Sequence, residues 1–191
     1  MNDHRDTMTL DEAMQDLWSV LTIGAQDRKH PAHTPTLSTI DEQGFPDCRT
    51  MVLRSVEGCT LRFHTDVRAT KWRQISRSDR GCIHTYLPSL KLQLRLSGRL
   101  TLHHDDDLSR QAWQMSQSTS RQGYRIALSP GEPIDEPGQW PLVDESSARS
   151  NFGVMLFEAN EAQWLYLLAS GHRRAGFRRH ESTWTGQWLV P

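Results

Sequence analysis

Apolar residues first recur at helical spacing at Leu10, Met14, Leu17 and Leu21. They follow Thr9-Leu10-Asp11-Glu12, a capping-box sequence with Thr as the cap and Glu at the third helical position. The pattern predicts an amphipathic helix over about residues 9–24 that ends near Gly24 and lies on a sheet as a lid. From about residue 34 the period drops to two. Residues 36–40 predict a strand closed by the turn Asp41-Glu42-Gln43-Gly44. Residues 46–56 predict one longer strand, whose run Met51-Val52-Leu53 implies cover on both faces. Residues 60–65 return after the Glu57-Gly58 turn. A short helix over 68–78 carries Trp72 and Ile75, and residues 82–86 predict a short strand. Leu90, Leu92, Leu94, Leu96, Leu100 and Leu102 then hold one parity, with Gly98 in phase. That is a long half-buried strand, bent or bulged at its glycine as a sheet curling into a barrel requires.

Asp105-Asp106-Asp107 opens a predicted helix through about residue 117, its acids favourably placed against the helix dipole. Residues 129–148, rich in Pro, Gly, Asp and Glu, predict a long loop. Four short strands over 152–157, 164–169, 173–178 and 183–190 complete the chain. The pattern is mainly β with peripheral helices, in one domain over 1–191. The barrel is expected over about 34–103 and 152–191, with a helix and loop insertion over about 105–148. No βαβ alternation, internal repeat, P-loop or G-x-G-x-x-G occurs, which argues against a Rossmann or P-loop nucleotide site.

Composition narrows the function classes. With 191 residues, 36% hydrophobic, and a mean hydropathy of −0.65, the chain supports one modest core. No run approaches the roughly 18 apolar residues of a membrane span, and the polar start carries no secretory signal. Cys48, Cys59 and Cys82 form no C-x-x-C pair, so reduced thiols in the cytoplasm are expected. Cys48 and Cys82, in strand-like segments, read as small hydrophobes. The net charge of −1 argues against nucleic acid. It also opposes an RNA-binding barrel that would use Arg178, Arg179, Trp184 and Trp188. Nineteen of the 22 Lys and Arg residues are Arg, which reflects codon usage as a set but leaves single arginines open as anion ligands. His103 and His104 beside three Asp read as a solvated helix start, and no metal is expected.

The candidate chemistry lies in Arg49-Thr50-Met51-Val52-Leu53-Arg54, Phe63-His64-Thr65-Asp66-Val67-Arg68-Ala69-Thr70-Lys71 and Gln93-Leu94-Arg95-Leu96-Ser97-Gly98. A strand ending at Thr65 and a helix starting with Thr70 and Lys71 bring free amides, a hydroxyl and an ammonium to one point, an anion site that Arg49 reaches from the neighbouring strand. Ordinary strand-end polarity accounts for the same residues. Arg49 and Arg54 differ in parity, so either a bulge intervenes or the two guanidiniums serve different places.

These segments resemble the pyridoxamine 5'-phosphate oxidase-related FMN-binding split barrels, and most of all the shorter, second subfamily. The patterns R-T-x-V-x-R, F-x-T-D-x-R-[SA]-x-K and Q-x-R-[LI]-x-G are met in order, and Trp113, Ser116, Arg121, His172-Arg173-Arg174 and the stretch 184–191 extend the likeness. The resemblance implies a six-stranded split β-barrel forming a homodimer, with FMN in clefts at the subunit interface and a small-molecule substrate. It implies FMN-binding roles for Arg49, Thr50, Met51, Val52, His64, Thr65, Thr70, Lys71 and Gln93. Of these, Arg49, Thr70 and Lys71 take the phosphate, Met51 and Val52 offer backbone groups to the ring edge, and Gln93 bonds the ring.

Arg54 stands where the oxidase has a substrate-contacting Lys, and Arg121, His172 and Arg174 are further substrate candidates. The oxidase's substrate-phosphate Arg and Tyr fall on Gln117 and Trp113, and its last flavin-contacting Arg falls on Gly176. His172-Arg173-Arg174 also reads as a solvated turn. No acid–base dyad or nucleophile stands out, as expected when flavin carries the chemistry. The expectation is an FMN-dependent oxidoreductase that is a poor pyridoxamine 5'-phosphate oxidase; the alternative is a non-catalytic flavin-sequestering protein.

Overall fold

A computed structural model describes residues 4–138 and 140–191. Helix α1 (Leu10–Gln26) begins with the expected capping box, Thr9 and Glu12 satisfying each other's free backbone amides. Its Ala13, Leu17, Val20 and Leu21 are buried in the main core. Strands β1 (Thr36–Ile40), β2 (Pro46–Thr50), β3 (Leu53–Glu57) and β4 (Thr60–Asp66) lead to helix α2 (Thr70–Arg77). Strands β5 (Arg80–Leu87) and β6 (Leu92–His103) follow, then helices α3 (Asp107–Met115), α4 (Ser118–Arg121) and α5 (Glu145–Ser150). Strands β7 (Phe152–Tyr166), β8 (Arg173–His180) and β9 (Thr183–Leu189) complete the sheet.

Among the described residues nine strands form one antiparallel sheet, seven of them in the order β2-β1-β5-β6-β7-β4-β3, with β8 on β7 and β9 on β8. Its two ends, β2 and β3, are consecutive in the chain, joined only by Met51 and Val52. The ring therefore has six strand positions, one of them occupied by β2 and β3 in turn, and the expected six-stranded barrel is met in that sense. The single strand expected over 46–56 is corrected: it breaks at Met51–Val52 because its first half pairs with β1 and its second with β4. A register shift between Leu53 and Ser55 adds a bulge at Arg54. Break and bulge together resolve the parity conflict between Arg49 and Arg54.

The strands expected at 152–157 and 164–169 are one 15-residue strand, β7. Its first half pairs with β4 up to Glu158 and its second half with β8 from Glu161, while β6 lies along its whole length. The sheet splits there, so β8 and β9, expected within the barrel, lie off the ring. Opposite the split sits Gly98, at a register shift between Ser97 and Gly98. A Cβ on Gly98 would lie 2.0 Å from the Glu158 carbonyl oxygen, so only glycine permits this approach.

Two cores result. The larger fills the ring and receives α1, with Trp164, Phe63 and Phe157 fully buried. The smaller packs Ala112, Trp113, Ala148, Phe152 and Val154 outside it. The helix expected from Asp105 starts at Asp107 under an Asp106 cap and ends at Met115. The loop expected over 129–148 gives way to α5 at Glu145. Cys48 is exposed, with its sulfur 2.8 Å from Ser38 Oγ, so it is no core hydrophobe. His103 bonds the capping Asp106 at 2.7 Å. Among the described residues no metal-ligating cluster forms, and no helix is long and apolar enough to cross a membrane.

Replacing Gly98 by Ala is expected to destabilise the protein by about 1–3 kcal/mol, because backbone rather than a flexible side chain must give way. Gly138→Ala, where nothing lies within 4 Å of the added carbon, is expected to stay within about 0.5 kcal/mol. Urea unfolding midpoints check both, and equal midpoints would remove the constraint assigned to Gly98.

Candidate functional site

Strand β4 delivers its last residues to a tight corner. The Asp66 carboxylate accepts from the Arg68 amide and Nε, both at 2.9 Å, and from Nη2 at 2.6 Å. This folds the chain back on itself, and α2 starts four residues later. The Arg68 guanidinium also donates to the carbonyls of Ile126 and Ala127, at 3.0 and 3.1 Å, which fastens the long loop to the corner. Trp72 of α2 rests on Gly153, where a Cβ would come within 2.5 Å of its ring. The cap residue Ala69 has no side-chain acceptor, so the first amides of α2 are uncapped.

Thr70 is exposed at this helix start and Lys71 is half-buried beside it. Lys71 makes no hydrogen bond or ion pair with another described residue. Burial lowers its pKa, and the nearby Arg49 guanidinium lowers it further, against the opposing pull of Asp66 and Asp47. Arg49 is held by Thr39 Oγ1 at 2.5 Å, Gln74 Oε1 at 3.0 Å and Asp47 Oδ2 at 2.6 Å. The buried Gln74 is the hub of this network, donating to Asp47 at 2.8 Å and accepting from Thr39 at 2.6 Å. Two cations, a hydroxyl and uncapped amides thus converge, and such an arrangement binds an oxyanion. Thr65 is buried just inside the corner. Thr50 faces outward, and Met51 gives its amide to the Pro35 carbonyl at 2.9 Å. Val52 makes no backbone hydrogen bond among the described residues, which leaves polar groups open in the gap between β2 and β3.

A cleft of about 260 Å³ opens on the other face of β3 and β4, lined by Arg28, Arg54, Arg62, His64, Ser116 and Gln117 among others. Arg54 projects from the bulge, its Nε buried without a partner, and burial lowers its pKa. His64 is driven down to about 3, first by burial and then by Arg54 and Arg62. Its imidazole is therefore neutral above about pH 4. It meets Phe152 edge-on at 4.9 Å. The Tyr124 phenol is pushed up to about 12 by burial, although Arg54 pulls the other way. Arg28 donates to Gln117 Oε1 at 3.0 Å.

Other candidates lie elsewhere. Trp113 is 7% exposed and packs on Phe152 and Tyr124 in the smaller core, so it is a packing residue. Arg121 stacks over its ring at 4.9 Å and donates to the carbonyls of Trp113 and Gln114 and to Glu145. Gln93 pairs in register with Leu165, which also pairs with Arg174. His64 and Thr65 pair with Val154 and Gly153 at the other end of β7. From Gly153 to Leu165 the strand contour is about 40 Å. The Arg174 guanidinium donates to Gln163 at 2.7 Å, and His172 Nδ1 accepts from the Leu168 amide at 3.1 Å, closing the β7–β8 turn.

Sequence reasoning missed Arg28, Arg62, Gln74 and Tyr124. Arg62 was within reach, because residues two apart on a strand share a face and His64 had been singled out. Gln74 follows Lys71 by three on a short helix, which places it on the same side. Arg28 and Tyr124 lie in irregular segments, where no periodicity marks direction.

Residues 15–104 match the family model described as Pyridoxamine 5'-phosphate oxidase, FMN-binding domain, and FMN is the cofactor of that domain. A pyridoxine/pyridoxamine 5'-phosphate oxidase of Legionella pneumophila is 28% identical over 178 residues, spanning 86% of this chain and 81% of its own. One from Pseudomonas entomophila is 27% identical, over 91% of this chain and 85% of its own. A pyridoxamine 5'-phosphate oxidase-related FMN-binding protein from Nostoc punctiforme superposes with a TM-score of 0.74 at 24% identity, over 96% of this chain and all of its own. PhzG from Burkholderia lata, solved with tetrahydrophenazine-1-carboxylic acid, gives 0.69 at 17% identity, over all of this chain and 97% of its own. Over residues 15–104 the chain thus matches that FMN-binding domain, along most of its length it is similar to pyridoxine/pyridoxamine 5'-phosphate oxidases, and it shares the split-barrel fold of pyridoxamine 5'-phosphate oxidase-related FMN-binding proteins.

Proposed function

We propose that this protein is an FMN-dependent oxidoreductase acting on a small molecule, and that it works as a homodimer with FMN at the subunit interface. The observation that carries the reading is Lys71, a half-buried ammonium without a partner beside Arg49 and an uncapped helix start. That corner fits a terminal phosphate dianion, which would be held by Arg49, Thr70 and Lys71. His64 and Thr65 then line the ribityl chain and ring, while Thr50, Met51 and Val52 lie along the ring edge. Bound FMN supplies hydride uptake, and the protein positions the reactants and sets the local charge. His64, held neutral, contributes hydrogen bonding without adding a third cation near the ring.

Dimerisation accounts for the separation within one chain. Gln93 and Arg174 share a row of the sheet far from Lys71, so one copy alone does not gather the set around one flavin. A second copy supplies that row, with His172 at its end. Arg54 then meets the substrate. A non-catalytic flavin carrier has one observation in its favour: neither His64 nor Tyr124 is poised to exchange a proton near pH 7. Reduction of bound FMN by NAD(P)H or a substrate separates the two readings.

Lys71→Ala is expected to weaken FMN binding about 10- to 100-fold, the loss of a charge-assisted contact. Fluorescence titration of the apoprotein reads it, and unchanged affinity would remove the phosphate assignment. Sedimentation of the FMN-bound protein should give twice the 22.0 kDa chain mass, and Gln93→Ala should also weaken FMN despite its distance from Lys71. A single-chain species with FMN bound would contradict the shared site.

Oxidation of pyridoxamine and pyridoxine 5'-phosphates is expected to be poor. Trp113 is consumed by packing, Arg121 by carbonyls, and Gln117 offers only a neutral amide. Losing two phosphate donors costs about 3 kcal/mol, roughly two decades of affinity. Steady-state kcat/KM with FMN-saturated enzyme should fall below about 10⁴ M⁻¹s⁻¹, and a higher value would show a phosphate site built from other residues.

A further inference from the structure

The Gln74 amide is buried, and its two ends meet groups of opposite hydrogen-bonding character. Arg49 Nη2, 3.0 Å away, can only donate, so the end that faces it is the carbonyl oxygen. The Asp47 carboxylate, 2.8 Å from the other end, accepts from the amide nitrogen. Oε1 takes a second hydrogen bond from Thr39 Oγ1 at 2.6 Å, and Thr39 in turn accepts from Arg49 Nη1. The place thus needs an acceptor and a donor on one uncharged side chain of this length. An ionised Glu offers acceptors alone, Lys and Arg offer donors alone, and Asn falls a methylene short. Gln74 also joins the two elements that bring cations to the corner, since Lys71 lies a turn earlier on α2 and Arg49 lies on β2. Among the described residues, the other polar side-chain link between α2 and the β1–β2 hairpin is the ion pair of Arg77 with Glu42. That pair is exposed, and exposed pairs hold a position weakly.

We infer that Gln74 is a positioning residue for the phosphate corner: it fixes Arg49 relative to Lys71 without adding charge, and so makes the site select a phosphorylated flavin over its dephosphorylated form. The inference rests on the reading of the Lys71 corner as the FMN phosphate site. Its electrostatics follow from the neutrality of the amide. With Asp66 paired to Arg68, Arg49 and Lys71 stand against the Asp47 carboxylate alone, an excess of positive charge that favours a dianion. Lys71 feels both Arg49 and Asp47, so the three charges act in one field. A carboxylate at position 74 would cancel the excess and turn an oxygen toward Asp47 where a donor now stands. An apolar side chain would keep the excess but release Arg49 from α2 and leave buried Thr39 without its acceptor. The two substitutions therefore separate the charge of the site from its geometry.

Fluorescence titration of the apoprotein with FMN and with riboflavin, which differs only in lacking the phosphate, tests it. The parent is expected to favour FMN. Gln74→Glu should weaken FMN about 100-fold and Gln74→Met about 10-fold, with riboflavin affinity within about two-fold of the parent in both. Asp47→Asn keeps an acceptor for the Gln74 amide and removes the counter-ion, so it should bind FMN at least as tightly as the parent. Asp47 is partly exposed, so this variant keeps the test decisive even where a Gln74 variant does not fold. A fall in riboflavin affinity as large as the fall in FMN affinity marks a merely structural role and overturns the proposal. FMN affinity unchanged by both Gln74 substitutions, or weakened by Asp47→Asn, overturns it as well. A parent that binds the two flavins equally overturns the phosphate reading and this inference together, an outcome seen before any variant is made.

Discussion

The ladder between β6 and β7 is the constraint on which the rest of the structure depends. It runs along all of β6 and from Val154 to the end of β7, and the rest of the sheet hangs from these two through β5, β4 and β8. The ring closes through β4 on one half of β7, and the branch of β8 and β9 leaves from the other half. At the fork the backbones of Gly98 and Glu158 meet more closely than a side chain at position 98 allows. Strand β7 therefore changes partners without breaking. That continuity fixes where the Lys71 corner lies relative to the Gln93 row, two places that no local interaction connects.

Charge is distributed with the same economy. Both terminal nitrogens of Arg49 have acceptors, in Thr39, Gln74 and Asp47, and the guanidinium is held in one orientation. Lys71 stands next to it with none. Across β4 the balance tips further: Arg54 and Arg28 lack counter-ions, and burial, with the charges of Arg54 and Arg62, keeps His64 from taking a proton. A protonated imidazole there would add repulsion to a desolvation penalty. Asp66, the one buried acid in this region, is committed to Arg68, and its pull on Lys71 does not outweigh burial and the Arg49 charge.

Much of this was legible in the sequence, and the residues explain the limits. The capping box at Thr9, the bulge at Gly98 and the helix start at Lys71 are local signals, each fixed by the chemistry of a few neighbouring residues. The break at Met51–Val52 was hidden because an apolar run reads alike whether one strand continues or two strands share it. The unity of β7 was hidden for a related reason. Glu158, Asn160 and Glu161 look like a turn, yet they sit where the sheet forks and polar side chains reach solvent. Of the candidate residues, Arg49, Thr65, Thr70 and Lys71 lie at one corner of the ring, whereas Gln93, also in a motif, sits at the far end of β7. Trp113 was misread, because an aromatic residue on an amphipathic helix gives the same pattern in a core as in a pocket wall.

The ring has a kinetic side. It is closed where β2 passes into β3, and its remaining seams join residues far apart in the chain: Thr36 with His84, and Thr60 with Glu158. Such pairings incur the full loop-closure entropy before any contact offsets it, so chains built on them are slow to fold and sensitive to where synthesis has reached. Strand β4 has no second neighbour until residues 152–158 exist, and β7 has no complete one until the whole of β6 lies beside it. The Lys71 corner needs Gly153 beneath Trp72, which places its assembly after most of the polypeptide has been made. A nascent chain thus carries Arg49 and Lys71 for over eighty residues before either has a fixed address.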